Sequence, residues 1–334
     1  MRLALLLLAL VVAACPKTTE VPAPQPTPAT DEAAEIPADG LTLEGTLALP
    51  ARTPGGPVPG VVFVHGSGPQ SRDEVLPGQL NQQFGLEVAV FADLSDALRD
   101  RGYAVLRYDK RSCFSGNGCD NAYPTPTADV RVEDFVDDAV AAVEWLDSRE
   151  DIGPVWVIGH SQGAAFLPAI LEAAPGAAGG VSLAGNMRPI DVLMQYQHDS
   201  SLALLEEMGA PQAQIDALLG PLRAILDGLA ALRAGTWDDA PIAGLPPAFW
   251  EGWLALGDAR PALAAAETRP LLALNGDADT NIPVDPELGL WAEAGADVVE
   301  LPCISHALNC VSPTIEGQVS DSVSTAVADW LDAR

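Results

Sequence analysis

The sequence predicts an α/β fold with a mostly parallel sheet, helices on both faces and a helical cap inserted between two strands. Short apolar runs bounded by turn residues alternate with amphipathic helical patterns along most of the chain, which is typical of βαβ units. Several runs are apolar at almost every position, as expected for strands that are buried on both faces. At 334 residues the chain is long enough for one large domain of this class or for two modest ones.

The strands are predicted in chain order from apolar or alternating patterns between turn residues. The first, at 41–50, alternates in polarity and is predicted as an outer strand. Apolar runs continue the series at 60–66, 103–109, 154–160, 179–185, 270–276 and 296–302. Amphipathic helical patterns lie at 90–102, 132–150 and 323–334. Parallel strands need long crossover connections, and these helices provide them.

The pattern changes at about residues 186–265, where no strand is evident. Apolar residues three and four apart at 222–232 mark an amphipathic helix, and the segment LPPAFWEGWLAL follows it. We expect this all-helical insertion to form a cap over the C-terminal edge of the sheet. Phe249, Trp250 and Trp253 within it would line a substrate pocket or form the core of the cap itself.

The N-terminal segment 1–15, MRLALLLLALVVAAC, predicts a bacterial lipoprotein signal peptide. Arg2 precedes an apolar run that is too short to span a bilayer as a permanent helix, and the run ends at a lipobox-like VAA before Cys15. Lipidation of Cys15 would make the protein an exported lipoprotein, anchored in the periplasm, at the outer membrane or at the cell surface. The alternative is ordinary signal cleavage beside an incidental cysteine. Residues 16–40, rich in Pro and Thr, are predicted to form a disordered tether to a folded domain at 41–334.

The composition is strongly acidic, with a formal net charge of −29. Such a charge repels a phosphate backbone and therefore argues against a nucleic-acid partner. The same field favours neutral or cationic small molecules over anionic ones. A requirement for solubility alone would also account for the acidic surface.

Four cysteines remain once Cys15 is set aside, and they form two close pairs in the sequence. In an exported protein an even number of cysteines favours disulfide bonds. We expect the bonds Cys113–Cys119 and Cys303–Cys310, out of the three connectivities that four cysteines allow.

The pentapeptide GHSQG at 159–163 lies between the apolar run VWVI and the helical segment AAFLPAILEAA. Gly-x-Ser-x-Gly between a strand and a helix is the nucleophile elbow of the alpha/beta-hydrolase fold. Small residues on either side of Ser161 let the strand and the helix approach each other, and the helix N-terminus favours negative charge. A glycine-rich turn without chemistry is the alternative. We therefore predict an alpha/beta-hydrolase fold with Ser161 as the nucleophile.

A serine nucleophile needs a base, and the base needs an acid that orients it; in this fold the chain order is Ser, then Asp or Glu, then His. Of the four histidines, only His306 follows both Ser161 and a candidate acid. The acid is expected in the loop after the predicted strand LLALN, where Asp277 and Asp279 both qualify. Asp279 is favoured because it lies further past the strand.

His306 stands between two cysteines in PCISHALNC, which raises the alternative of a metal site. No fourth ligand is evident nearby, and in an oxidising compartment Cys303 and Cys310 are expected to bond to each other. We therefore predict a site without a metal or another cofactor. A purely structural role is the remaining alternative for His306.

The segment HGSGP at 65–69 follows another predicted buried strand and is the candidate oxyanion loop. The backbone amides of Ser67 and Gln162 are expected to face the carbonyl oxygen of a substrate as it gains negative charge. Gly66 and Gly68 are alternatives to Ser67.

Five segments together resemble a bacterial alpha/beta-hydrolase family, the esterase group near the acyl-CoA thioester hydrolases and the dienelactone hydrolases. They are VVFVHGSGPQSRDE, FADLSDALRDRGYAVLRYDKR, VEDFVDDAVAAVEWL, VIGHSQGAAFLPAI and DARPALAAAETRPLLALNGDADTNIP. The resemblance runs from about residue 41 to the C-terminus and implies a triad at Ser161, Asp279 and His306, with carboxylesterase activity on short acyl esters. Two departures bear on substrate preference: SCFSGNGC places Ser112 where the family has Gly, and the cap is the least family-like part.

The sequence as a whole predicts a lipid-anchored serine hydrolase of the carboxylesterase type, acting on a small-molecule ester without a metal. Within enzymes, the alternatives are a peptidase or a thioesterase with the same triad. Acyl-CoA is disfavoured because the protein is exported and its acidic surface would repel the phosphates. From another class, the alternative is a non-catalytic lipoprotein that binds a ligand in the same pocket. No pattern points to a particular oligomeric state.

Overall fold

The structure, a computed structural model, describes residues 27–52, 55–76, 86–113, 119 and 130–334. The strands in this part of the chain are β1 (Thr30–Ala38), β2 (Leu41–Leu49), β3 (Val58–Val64), β4 (Val75–Leu76), β5 (Val88–Ala89), β6 (Ala104–Tyr108), β7 (Ile152–His160), β8 (Ala177–Leu183), β9 (Leu271–Gly276) and β10 (Asp297–Leu301). The helices are α1 (Val90–Asp100), α2 (Glu133–Asp147), α3 (Gln162–Ala173), α4 (Ile190–Glu207), α5 (Gln212–Arg233), α6 (Pro247–Ala266), α7 (Val284–Glu293) and α8 (Asp321–Asp332).

A single large sheet organises the described residues, in the strand order β1-β2-β6-β3-β7-β8-β9-β10. The pairs β1–β2 and β2–β6 are antiparallel, and the pairs from β6 to β10 are parallel. The C-terminal ends of the parallel strands therefore share one edge of the sheet. The predicted α/β fold with helices on both faces of a mostly parallel sheet is confirmed.

Alternate side chains of the central strands enter two separate cores. In β3, Val61 and Phe63 pack with α1 and α8 on one face, where the Phe63 and Phe91 rings stack with 4.6 Å between centroids. Val62 and Val64 pack with α2 and α3 on the other face. This two-sided burial explains why the strand is apolar at every position from 61 to 64.

The folded domain begins before residue 41, because residues 30–38 form a strand. The prediction of a disordered tether at 16–40 is therefore wrong for its C-terminal part. β1 occupies Thr30–Ala38 and pairs antiparallel with β2 along its whole length, from Thr30 opposite Leu49 to Ala38 opposite Leu41. Only two of its side chains, Ala34 and Ile36, are buried, so its composition resembles that of a solvated linker. The pair Asp39–Gly40 at the turn is a hairpin signal that could have revealed the strand.

The predicted signal peptide 1–15, its Cys15 and the first part of the predicted tether lie outside the described residues. In the described part of the chain, no helix combines the length and the apolar character that crossing a membrane requires.

Three helices, α4, α5 and α6, lie between β8 and β9, in the stretch for which a cap was predicted. Arg260 of α6 fastens them to the sheet: its Nε donates to the carbonyl of Ala165 in α3 at 2.5 Å, and its Nη1 donates to the carbonyls of 186–188 at 2.9 to 3.3 Å. Its side chain is fully buried, and burial lowers the pKa of Arg260 to about 10, against the opposing effect of Glu287. Three successive carbonyls at the entry to the cap thus accept hydrogen bonds from one buried guanidinium.

We predict that Arg260→Met lowers the free energy of unfolding by about 2 to 4 kcal/mol, because several buried carbonyls lose a charged donor. Arg233→Met is the matched control, since Arg233 also belongs to the cap but pairs with Asp191 and Asp258 at the surface. We expect its effect to stay below about 1 kcal/mol. Urea unfolding of the two variants measures both values, and equal losses would contradict the role assigned to Arg260.

Candidate active site

Ser161 lies in a strained turn between the end of β7 and the start of α3, with φ 52° and ψ −112°. The two glycines of the pentapeptide allow this turn. A Cβ on Gly159 would lie 2.5 Å from the backbone nitrogen of Ala164, and a Cβ on Gly163 would lie 2.2 Å from the carbonyl oxygen of Val64 in β3. Neither position has room for a side chain, because strand, turn and helix touch through their backbones.

The structure brings Ser161, His306 and Asp279 together from three separate loops. Ser161 Oγ lies 3.0 Å from His306 Nε2, and His306 Nδ1 lies 2.8 Å from Asp279 Oδ2. The second carboxylate oxygen of Asp279 accepts the amides of Asn281 and Ile282 at 2.8 and 2.9 Å. The Asp279 side chain is fully buried, whereas the His306 ring keeps partial contact with solvent. This arrangement can transfer the serine proton to a ring whose orientation is fixed.

Asp277, the alternative acid, has a different partner. Its Oδ1 accepts the backbone amide of Cys303 at 2.6 Å, at the start of the loop that carries His306. The amide of Asp277 itself donates to the carbonyl of Leu301 at 3.0 Å. Asp277 therefore ties the loops after β9 and β10 together and does not contact the His306 ring.

The cysteines come together in the two expected pairs. Cys113 pairs with Cys119, and Cys303 pairs with Cys310, with Cα–Cα distances of 6.1 and 4.8 Å. The second pair closes a short loop around His306. Across the part of the chain that the structure describes, no group of three or more His, Cys, Asp or Glu side chains is arranged to hold a metal ion.

The candidate oxyanion loop passes directly over Ser161. A Cβ on Gly66 would lie 2.9 Å from Glu74 Oε1 and 3.3 Å from the Ser161 Cβ, so a side chain there would displace its neighbours. The amide of Gly66 donates to Glu74 Oε1 at 2.5 Å and is therefore committed to that carboxylate. Ser67 lines the same cavity as Ser161, and Gln162 is the first residue of α3, where helix amides lack an intrahelical acceptor.

Two buried ionisable side chains, Glu74 and His160, lie behind this loop, and the sequence analysis gave neither of them a role. Glu74 is completely buried and lies 3.2 Å from His160 Nδ1, while His160 Nε2 lies 2.9 Å from the carbonyl of His306. Burial lowers the pKa of His160, but Glu74 and the His306 carbonyl raise it by more, so the net shift is upward. Burial also lowers the pKa of the neighbouring His65 to about 4, against the opposing effect of Glu74. The only sequence signal for Glu74 was its place in the block HGSGPQSRDE.

The oxyanion loop is braced by the loop that follows β6. Arg72 forms a two-pronged pair with the buried Asp109, at 3.0 Å from Nε and 2.6 Å from Nη2. The amide of Lys110 donates to the carbonyl of Gln70 at 3.1 Å, and Ser112 Oγ lies 3.3 Å from the carbonyl of Gly68. Ser112, where the sequence departs from the family pattern, thus contacts the oxyanion loop.

Two cavities adjoin both Ser67 and Gln162, and the smaller one also reaches Ser161. The smaller, about 270 Å³, is lined by Ser161 and His306 themselves, together with Asn281 and Ile282. The larger, about 480 Å³, has mostly apolar walls and meets the smaller one at residues common to both, namely Ser67, Gln162, Met194 and Trp253. The three cap aromatics chosen from the sequence, Phe249, Trp250 and Trp253, line this larger cavity and also pack against one another. They therefore belong both to the core of the cap and to the wall of this cavity, and their role in binding a substrate stays a prediction.

The relatives of the chain point to one family. The esterase EstD of Thermotoga maritima is 34% identical over 168 residues, a match that covers 50% of this chain and only 35% of EstD. Among solved structures, Est1E from Butyrivibrio proteoclasticus matches with a TM-score of 0.54 at 14% identity, over 90% of this chain and 98% of that one. The Pyrococcus furiosus esterase Pf2001 matches with a TM-score of 0.53 at 16% identity, over 91% of this chain and 93% of that one. These two likenesses show a common fold.

A family model extends the match across most of the described domain. The model of the Alpha/beta hydrolase family matches residues 61–313, from β3 to a point beyond the His306 loop. The matched region includes the strained serine turn and all the parallel strands. The chain belongs to the alpha/beta hydrolase family.

Proposed function

We propose that this protein is a serine hydrolase that cleaves carboxylic esters through an acyl-enzyme. The observation that carries the proposal is the continuous hydrogen-bonded path from Ser161 Oγ through both ring nitrogens of His306 to the buried Asp279. The esterase relatives support hydrolysis of esters in general, and the geometry supports the individual roles.

In the proposed reaction, Ser161 Oγ attacks the ester carbonyl carbon while His306 Nε2 takes the serine proton. The carbonyl oxygen becomes an oxyanion beside the amides of Ser67 and Gln162. Asp279 keeps the protonated ring in place, and the ring then gives its proton to the departing alkoxide. A water molecule, activated by the same nitrogen, adds to the acyl-enzyme and releases the carboxylic acid and free Ser161.

The two cavities suggest where each part of the ester binds. The leaving group has to lie within reach of His306 Nε2, which lines the smaller cavity. The acyl group stays on Ser161 with its oxygen near Ser67 and Gln162, from which the larger apolar cavity extends. We therefore assign the acyl chain to the larger cavity and a small alcohol to the smaller one. An apolar acyl chain of several carbons would be buried there at about 0.8 kcal/mol per CH₂.

We propose further that the enzyme acts as an exported lipoprotein. The signal-like segment 1–15 ending at Cys15 supports export and lipidation, and the two cysteine pairs suit an oxidising compartment. The active-site groups all lie in the domain that follows the tether, so the anchor does not take part in the chemistry.

Substitutions in the triad should abolish or strongly lower ester hydrolysis. p-Nitrophenyl butyrate should be hydrolysed by the mature protein with EDTA present, and Ser161→Ala should abolish that activity. Asp279→Asn should lower kcat by roughly 10³- to 10⁴-fold, because the ring loses the acceptor that fixes its tautomer. The matched variant Asp277→Asn changes a carboxylate that holds the Cys303 amide instead, and its kcat should fall far less. Equal losses in the two variants would contradict the assignment of Asp279, and loss of activity in EDTA would contradict the metal-free mechanism.

The second prediction concerns the acyl cavity. Leu245 lines only the larger cavity, and Leu245→Trp should fill part of it. If the substitution excludes two methylenes of the acyl chain from the cavity, the kcat/KM for p-nitrophenyl octanoate divided by that for p-nitrophenyl acetate should fall by roughly 15-fold. This follows from about 0.8 kcal/mol per buried CH₂. Leu218→Trp, at an exposed position of the cap, should leave this ratio unchanged. An unchanged ratio in Leu245→Trp would contradict the assignment of the acyl chain to the larger cavity.

The third prediction concerns the anchor. In a bacterial host, the full chain should incorporate labelled fatty acid and sediment with membranes, whereas Cys15→Ser should lose the label. Ser161→Ala should behave as the wild type does in this assay, because it leaves the export segment intact. A wild-type chain that carries no label and is released in soluble form would rule out lipidation.

A further inference from the structure

Lys110 is a buried cation directly behind the candidate oxyanion loop. It follows β6, and only 4% of its surface is exposed. Its Nζ donates to the carbonyl of Gly66 at 2.5 Å and to Gln162 Oε1 at 2.8 Å, and it lies 4.6 Å from the centroid of the Phe135 ring. One ammonium group therefore contacts both segments whose amides are assigned to the oxyanion.

The bond to Gly66 fixes the direction of the Ser67 amide. The carbonyl of Gly66 and the N–H of Ser67 belong to the same planar peptide group, in which a trans C=O and N–H point in opposite directions. A carbonyl held toward Lys110 therefore aims the Ser67 N–H away from the lysine. On its other side, the Gly66 amide is held by Glu74 Oε1 at 2.5 Å, so the glycine is fixed at both of its polar groups.

The hydrogen bond from Lys110 Nζ to the Gln162 side chain restrains the second oxyanion amide, which is the backbone N–H of Gln162. Gln162 contributes its backbone N–H at the start of α3, and its side chain folds back to Lys110. The side-chain bond opposes any rotation of the first turn of the helix relative to the loop. Lys110 thus links the loop that carries one amide to the helix turn that carries the other.

Burying a lysine costs free energy unless its charge is fully partnered. The stability of the fold alone therefore gives no reason for a lysine at this position. Burial lowers the pKa of Lys110 to about 7, against the opposing effects of Glu74 and Asp138. In its protonated form, Lys110 also adds positive potential beside a developing oxyanion.

We propose that Lys110 is a positioning residue of the oxyanion hole, which orients the Ser67 amide through the Gly66 carbonyl and the Gln162 amide through its side chain. The inference rests on the proposed function, because it needs an oxyanion at these two amides. It extends that function to a residue that does not contact the substrate's reacting atoms.

The test compares Lys110→Met and Lys110→Gln with the wild type, with Ser161→Ala in the same assay. The readouts are kcat and KM for p-nitrophenyl butyrate, the inhibition constant of butylboronic acid, and the melting temperature. Butylboronic acid becomes tetrahedral and anionic on Ser161, so it reports on the oxyanion hole. Arg101→Met controls for the loss of one positive charge, since Arg101 pairs with Asp329 and Asp332 on the surface before β6.

We expect Lys110→Met to lower kcat by about 10- to 100-fold, less than the 100- to 1,000-fold that follows removal of a direct donor. KM should change less than threefold, and the inhibition constant of butylboronic acid should rise by the same factor by which kcat falls. Lys110→Gln, which keeps one amide donor, should lie between the wild type and Lys110→Met, and Arg101→Met should match the wild type.

Wild-type kcat and wild-type boronate inhibition in either folded Lys110 variant would overturn the inference. A fall in kcat with no change in the inhibition constant of butylboronic acid would also overturn the inference. That result is expected if Lys110 only supports the fold and does not position the oxyanion amides. If Lys110→Met does not fold, Lys110→Gln decides the question by the same two readouts. An inactive wild type, or a Ser161→Ala variant as active as the wild type, would instead overturn the proposed function itself.

Discussion

The candidate active site depends on one close approach, that of β3, the end of β7 and the first turn of α3. Gly163 has no room for a Cβ because the carbonyl of Val64 in β3 lies in its place, and Gly159 faces the backbone of α3. With strand and helix in contact, the connecting residue has to adopt a positive φ, which is strained for any residue other than glycine. Ser161 holds that conformation because its amide donates to the carbonyl of Leu183 in the neighbouring strand.

The remaining parts of the site are loops at the same edge of the sheet, and each is tied to a neighbour by at least one polar side chain. The loop of Asp279 is held by its own backbone amides and, through Asp277, by the histidine loop. The oxyanion loop is held by Arg72 and Asp109 on one side and by Glu74 on the other. Loops lack the repeating hydrogen bonds of a helix or strand, so these side chains add to the few backbone bonds that join one loop to another.

The sequence analysis located those parts of the protein that repeat a pattern. Continuous apolar runs predicted the central strands, because most of their side chains are buried in the cores on the two faces of the sheet. The elbow was visible because two glycines and a serine at fixed spacing have few other uses, and chain order left His306 without a rival. β1 was missed for the opposite reason: Ala34 and Ile36 are its only buried side chains, so its pairing with β2 left almost no trace in hydrophobicity.

Buried charges were the second class of feature that the sequence concealed. Glu74, Lys110 and Arg260 are among the least exposed side chains of the protein, yet each would be assigned to the surface by any pattern that equates charge with solvent. They are buried where the chain is irregular, at the oxyanion loop and at the entry to the cap, and each contacts backbone groups there. Buried irregular backbone has neither water nor the regular hydrogen bonds of a helix or strand, so its polar groups need other partners. A buried charged side chain provides those partners, and its position is determined by contacts distant in sequence.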